Sequence, residues 1–516
     1  MTKDEDLEQL RTDNTILYKA LLRKKEELEL SQQANQDLRE GLRQAIIAIH
    51  SQQERVQVLE GLIDSQQERI KTLERQQAKD SHNSSLPPSA DRFVRPPKSL
   101  RHKSSKKAGG QQGHHGHCLR QVETPDEVLM HPVVCCEQCH HDLHTQRADL
   151  PERRQVIDLP AKRLWVTEHR VEEKQCPKCF HLTRANFPTT VPAPAQYGTS
   201  IQAVATYLVE GQAVPYARAS QLLQELFGVH LSAGSIASFV TTCHEQLAEV
   251  ETSLKAALMK SPVIHQDETG LRVGKTGWWV HVCSTDRLTH YAAHHSRGRV
   301  ALDAIGIAPH FRGTSVHDGL QSYQSYSFTQ ALCNVHHVRE LTFLEEEFKQ
   351  PWAGKMKELL LEMKAEVSQA KALSQHELNM LLLARLLRRY DEILTEGYHV
   401  NPPPPPPKKS EQSKRTPGRP KQSLARNLLD RLSQGKWATL RFLLDFAVPF
   451  DNNQAERDLR MIKVQQKISG CFRSEQGVIM FCRIRSYLST LRKQGIELLS
   501  ALEQTLVGHP VLPAFA

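Results

Sequence analysis

SPVIHQDETGLRV (residues 261–273), GWWVHVCST (277–285), LTHYAAHHS (288–296), RGRVALDAIGIA (297–308) and RGTSVHDGLQSY (312–323) follow one another with short connections. The first three read as strands, the fourth as a helix and the fifth as a strand again. The first and fifth are apolar or β-branched runs that end at a carboxylate, Asp267 and Asp318. A third acidic segment, DNNQAERDLR (451–460), reads as the start of a helix rich in Arg and Lys, in which the carboxylate of Glu456 is out of place.

Three strands, a helical crossover and a further strand match the start of a ribonuclease H-like sheet, with Asp267 on the first strand and Asp318 on the strand after the crossover. Hard divalent cations take carboxylate ligands from rigid elements, and phosphodiester chemistry commonly uses two of them roughly 3.5–4 Å apart. Carboxylates far apart in sequence must then meet in the fold. Within 451–460 three acids compete for the third position. Asp451 follows Pro449 and Phe450 and precedes two asparagines, which suits a helix cap. Asp458 points to the face roughly opposite Glu456, beside Arg and Lys side chains that can pair with it. Glu456 shares its face with Arg460, Lys463 and Lys467, an arrangement suited to a phosphate substrate. The candidate catalytic and metal-binding residues are therefore Asp267, Asp318 and Glu456.

The rest of the chain predicts several modules, as 516 residues lead one to expect. Lys and Arg total 67 against 58 Asp and Glu, a formal charge of +9 concentrated in linkers and near the C-terminus. That favours a polyanionic partner, most economically nucleic acid. No apolar run is long enough to span a bilayer and Met1–Leu10 is charged, so no membrane partner and a cytoplasmic location are expected. Eleven cysteines in so long a chain exclude a disulfide scaffold, and their clustering over 135–180 points to metal.

Residues 1–80 predict a coiled coil. One heptad register runs from Leu7 to Leu73, with Leu21, Leu28, Leu42, Ile49, Val56, Ile63 and Ile70 at a positions and Leu10, Leu17, Leu38, Leu59 and Leu73 at d. Asn14 and Asn35 in the seam cost stability but select register and strand number, which favours a parallel homo-oligomer, most simply a dimer. The alternative is an amphipathic helix folded back on its own protein. Residues 81–120 are a basic linker of Pro, Gly, Ser and Lys/Arg, in which Arg92 to Lys107 can track a phosphate backbone. Its HHGH run (His114, His115, His117) lies between flexible glycines, which argues against a preformed metal site.

Residues 121–190 predict a small zinc module. Cys136 with Cys139 and Cys176 with Cys179 form two CxxC knuckles, the spacing that places four thiolates on one structural Zn²⁺. Cys135 is a rival to Cys136, and a redox CxxC is the other reading. The intervening 155–175 segment reads as two strands, which makes the module ribbon-like. Residues 191–260 are helical by periodicity. A helix ending near Phe227, a turn at Gly228 and a second helix capped by Ser232 resemble a helix-turn-helix or an ordinary αα-hairpin. Residues 261–516 form the α/β catalytic domain, with a helical insertion over about 338–448 and a helical C-terminus. The insertion contains the loop NPPPPPPKKSEQSKRTPGRPKQ (401–422), whose Pro417-Gly418-Arg419-Pro420 resembles a minor-groove motif.

With these segments in place, the chain resembles the transposases of the insertion sequence 66 family over almost its whole length. The coiled-coil start, HNSSLPPSAD, GGQQGHHGH, the two CxxC pairs, HQDETGLRV with GWWVHVCST, and DNNQAERDLR followed by FRSEQG carry the resemblance. It implies a DDE transposase in which Asp267, Asp318 and Glu456 bind two Mg²⁺, or Mn²⁺ in their place. In-line attack of water, then of a DNA 3′-hydroxyl, on phosphodiesters would cleave the transposon ends and join them to target DNA. Terminal inverted repeats, target DNA, two small accessory proteins of the same element and a bacterial, nucleoid-associated location follow from the same resemblance. Cys333-Asn-Val-His336 looks like the Cys-x-x-His element found near the active site of several such enzymes. Two other readings compete: a ribonuclease H-like DNA nuclease that cannot join strands, and a catalytically silent DNA-binding regulator derived from a transposase.

Overall fold

The computed structural model describes residues 3–77, 121–129, 131, 133–145, 154–157, 164–403 and 422–515. The basic linker over 81–120, its histidine run and Pro417–Pro420 lie outside these residues. The chain divides into two units, one built on α1 and the other holding every remaining element. Helix α1, Lys3–Gln77, runs 75 residues through Gly41 and Gly61. A lone helix cannot bury its own seam, and Leu21, Ile49, Val56, Ile63 and Ile70 are all more than half exposed. No described helix is long and apolar enough to cross a membrane.

The second unit begins with the two CxxC loops. Strands β1 (Glu173–Gln175) and β2 (Leu182–Arg184) form an antiparallel hairpin around the second loop. Alternation predicts two strands between the knuckles, whereas the paired residues flank Cys176 and Cys179. The local reason is that the Cys176 N–H donates to the His181 carbonyl (2.9 Å), which closes the knuckle and brings its two arms into register.

Helices α2 (Thr199–Thr206), α3 (Tyr216–Phe227), α4 (Ala233–Gln246) and α5 (Ala248–Lys260) follow. Helix α3 stops where Gly228 takes φ +75°, a conformation that costs glycine little. Helix α4 starts where Ser232 Oγ accepts the Ser235 N–H (2.9 Å). Ala219, Leu223, Val229, Leu231 and Ile236 bury the apolar faces of this pair against α2.

The core is a mixed five-stranded sheet. Its strands are β3 (Val263–Val273), β4 (Thr276–Ser284), β5 (Thr289–His294), β6 (Thr314–His317) and β7 (Thr329–Leu332), with α6 (Arg299–Ile305) connecting β5 to β6. The spatial order is β5-β4-β3-β6-β7. Strands β3, β4 and β5 pair antiparallel, and β6 and β7 run parallel to β3. Alternation along β3 assigns the two faces. Leu271 and Val273 meet Ala455, Leu459 and Ile462 on one face, while Ile264 meets Leu254, Leu258 and Leu302 on the other.

Helices α7 (Asn334–Phe348), α8 (Pro351–Ala372), α9 (Met380–Val400), α10 (Leu424–Gln434), α11 (Lys436–Thr439) and α12 (Arg441–Leu444) leave β7. Val338 to Phe450 build a separate hydrophobic core here, centred on fully buried Trp352, Met356, Leu359 and Tyr390. The chain then returns to the sheet as α13 (Asn453–Ser469), α14 (Glu475–Lys493) and α15 (Leu498–Leu506), with α13 against β3 and β4 and α14 against β5.

Three elements of this unit are tied together by Glu251 on α5. Its carboxylate meets His290 Nε2 on β5 (3.1 Å) and Arg483 Nε on α14 (2.5 Å). Burial acts to raise its pKa, but the hydrogen bond and charge of His290, then those of Arg483, outweigh it and hold the carboxyl down at about 2. A folded pKa below the unfolded value contributes stability above about pH 4.3, and that contribution is lost as pH falls toward 2. Glu251→Gln is expected to flatten the acid limb of the stability curve between those values, measured by urea unfolding across pH. An unchanged limb would exclude the role.

Candidate active site

Strand register carries the first two acids to one place. β3 pairs with β6 as Val263↔Thr314, Ile264↔Ser315 and His265↔Val316. Continuing that register by two residues sets Asp318 opposite Asp267, just past the end of β6. The oxygens of Asp267, Glu268 and Asp318 lie within 4.8 Å of one another. After Asp318 the chain turns through Gly319 at φ +93°, and the Leu320 N–H donates to Asp318 Oδ1 (3.1 Å). A side chain at Gly319 would be strained in that conformation.

Glu268 follows Asp267 on β3, and its carboxylate joins the same cluster while holding partners of its own. Arg297 Nη2 pairs with Glu268 (2.8 Å), and the Tyr323 hydroxyl donates to Glu268 Oε2 (3.3 Å). Asp267 accepts the Glu268 backbone N–H (2.8 Å). Burial, then the negative charges of Glu268, Asp318 and Glu456, push the Asp267 carboxyl up to about 8. Such mutual repulsion is what a divalent cation between carboxylates offsets.

Glu456 reaches this area from the first turn of α13. The anchor is Asn452, 1% exposed, which makes three bonds to two separate segments, β3 and the start of α7. Its Oδ1 meets His265 Nδ1 (2.8 Å), its Nδ2 donates to the Gln266 carbonyl (2.9 Å), and its backbone N–H donates to Cys333 Sγ (3.2 Å). Glu456 Oε1 is buried with no hydrogen-bond partner among the described residues. In atom-to-atom distance Glu456 groups with Cys333 and His336, within 4.8 Å, while its charge still acts on Asp267.

The competing acids of 451–460 have partners. Asp451 Oδ1 accepts the Asn453 N–H (3.2 Å) at the start of α13. Asp458 forms a buried ion pair with Lys493 (2.9 Å). Among the expected cations on the Glu456 face, Lys463 donates to the Gly270 carbonyl (2.9 Å) and so ties α13 to β3. No sequence motif singles out Glu268, Arg297, Tyr323 or Asn452. Only the adjacency of Glu268 to Asp267 and of Asn452 to the acidic segment hinted at them.

The family comparison bears on this geometry. A family model described as the IS66 family of transposases matches residues 194–479, which hold Asp267, Asp318 and Glu456. The chain belongs to the IS66 transposase family. A second model, described as a family of unknown function (DUF6444), matches residues 22–120 of this transposase, and the comparison with curated proteins gives no match.

The CxxC pairs of the transposase form two loops of the same design. In each, the first cysteine's N–H donates to a carbonyl five residues on: Cys136 to His141 and Cys176 to His181, both at 2.9 Å. In each the residue after the second cysteine, His140 or Phe180, takes positive φ. The backbone N–H groups of Cys139 and Gln138 hold the Cys136 thiol below its ordinary pKa, and those of Cys179 and Lys178 do the same for Cys176. N–H donors around a sulfur suit a thiolate ligand, so each pair fits half of a zinc site. No third Cys, His, Asp or Glu among the described residues completes either pair within 4.8 Å.

Proposed function

We propose that the chain is a DNA transposase that cleaves at the ends of its element and joins the freed 3′ ends to target DNA. The observation that carries this reading is the placement of Asp267 and Asp318 on neighbouring strands, with the charge of Glu456 acting on the same carboxyl. Strand order β5-β4-β3-β6-β7, with three antiparallel strands followed by two parallel ones, supports a ribonuclease H-like domain. Asp267, Asp318 and Glu456 would hold two Mg²⁺, which supply activation of the attacking oxygen and neutralise charge on the phosphate. The protein's own part is to fix the three carboxylates: Gly319 turns Asp318 into place, Asn452 seats Glu456, and Arg297 with Tyr323 engages the neighbouring carboxylate of Glu268. Terminal inverted repeats, target DNA and two accessory proteins of the element would be the partners. A strand-transfer assay with pre-cleaved ends tests the reading, because a hydrolase lacking the joining step leaves those ends unjoined.

The two CxxC loops would close on one structural Zn²⁺ through Cys136, Cys139, Cys176 and Cys179. Ligand binding then contributes folding free energy. Cys176→Ser is expected to lose zinc and to expose residues 130 to 185 to protease while the α/β core stays protected. Zinc-free wild-type protein would sink the idea.

The exposed seam of α1 would pair with a second copy in a parallel coiled coil. Deleting residues 1–75 is expected to halve the mass measured by light scattering and to weaken the pairing of two DNA ends. Equal protomer number with and without α1 would remove the seam from that role.

A further inference from the structure

We infer that Cys333, His336 and Glu456 form a second metal site, selective for a zinc-class ion and adjoining the Asp267–Asp318 pair. The three side chains come from the N-cap and first turn of α7 and the first turn of α13. Sγ, a ring nitrogen and a carboxylate oxygen lie within 4.8 Å of one another. Two further observations mark the place as built for a ligand. His336 Nδ1 and Glu456 Oε1 are both buried with no hydrogen-bond partner among the described residues, a costly state for polar atoms. Cys333, 1% exposed, accepts the Asn452 backbone N–H at its sulfur (3.2 Å), which aims Sγ at the start of α13. Burial nevertheless pushes the Cys333 thiol up to about 12, whereas Cys136 and Cys176 are held below their ordinary value.

The donor set decides the ion. Mg²⁺ takes oxygen ligands and octahedral geometry, whereas thiolate with imidazole and carboxylate suits Zn²⁺ at about 2.0–2.3 Å from each donor. On binding, the Cys333 S–H bond breaks, its proton leaves to solvent and a sulfur–metal bond forms, so S⁻, neutral imidazole and carboxylate neutralise a dication overall. Three protein donors leave the fourth tetrahedral position open. Resting on the functional reading above, one consequence follows: Glu456 held by zinc is withdrawn from Asp267 and Asp318, which makes the site inhibitory.

Metal content of the full-length protein tests the inference without DNA or Mg²⁺. Equilibrated at buffered free Zn²⁺, wild type is expected to carry one equivalent more than Cys333→Ala and one more than His336→Gln. With Co²⁺ as the probe, wild type is expected to show a sulfur-to-cobalt band stronger than that of Cys333→Ala by one thiolate. The CxxC cysteines contribute equally to all three proteins and cancel. If Cys333→Ala fails to fold, His336→Gln, at a partly buried position, decides the matter. Equal stoichiometry in wild type and His336→Gln would overturn the proposal. It would leave the cleavage reading intact, since that is judged by Glu456→Gln in Mg²⁺.

Discussion

Glu456→Gln is expected to reduce Mg²⁺-dependent cleavage and strand transfer by about 10³-fold or more while DNA binding stays within about twofold. The substitution keeps volume and helix propensity and removes one charge from the position whose field acts on Asp267. Its neighbours provide the contrast. Asp451→Asn removes an acceptor for the Asn453 N–H, a capping interaction of about 1 kcal/mol, and should trim stability while leaving the chemistry. Gel assays of end cleavage on the two variants check the assignment. Retained cleavage in Glu456→Gln together with loss in Asp451→Asn would reassign the third carboxylate.

Lys493→Met should destabilise the catalytic unit by about 3–5 kcal/mol, the usual cost of leaving one partner of a buried ion pair alone. Lys493 and Asp458 are 14% and 10% exposed at the side chain and meet at 2.9 Å. Lys493 also donates to the Thr285 and Leu288 carbonyls, so it joins α14, α13 and the β4–β5 turn. Asp458→Asn keeps a polar acceptor and should cost less. Replacing both partners at once should recover much of the loss, because no uncompensated charge then stays buried. Urea unfolding of the four proteins gives the coupling directly; additive single-variant losses would show that the pair does not act as a unit.

Local signals were legible in the sequence. Gly228 and Ser232 punctuate helices at the expected places, because φ > 0 and N-cap acceptance are properties of single residues. Apolar and β-branched runs marked the strands at Asp267 and Asp318, though β3 continues past Asp267 to Val273, and the acidic segment at 451–460 marked the helix that carries Glu456. Heptad spacing gave the 75-residue helix, since its seam repeats within the chain itself.

Other features depended on contacts between segments far apart in sequence, which no local pattern encodes. Among the described residues the strands at the knuckles form a hairpin around the second one, closed by the bond from the Cys176 N–H to the His181 carbonyl. Lys463 looked like a phosphate ligand but meets the Gly270 carbonyl 193 residues away. Asn452, which stands at the N-cap of α13, bonds the Gln266 carbonyl 186 residues away and seats the helix bearing Glu456. From the order of its residues alone, then, this protein's elements, their punctuation and the identities of its acids could be read. Which acid faces which, and that Glu456 stands between an aspartate pair and a thiol–imidazole pair, was decided by sheet register and by the packing of α13 on β3. Those are properties of the assembled fold, where the burial of one polar group is stabilised by partners that the chain brings in from elsewhere.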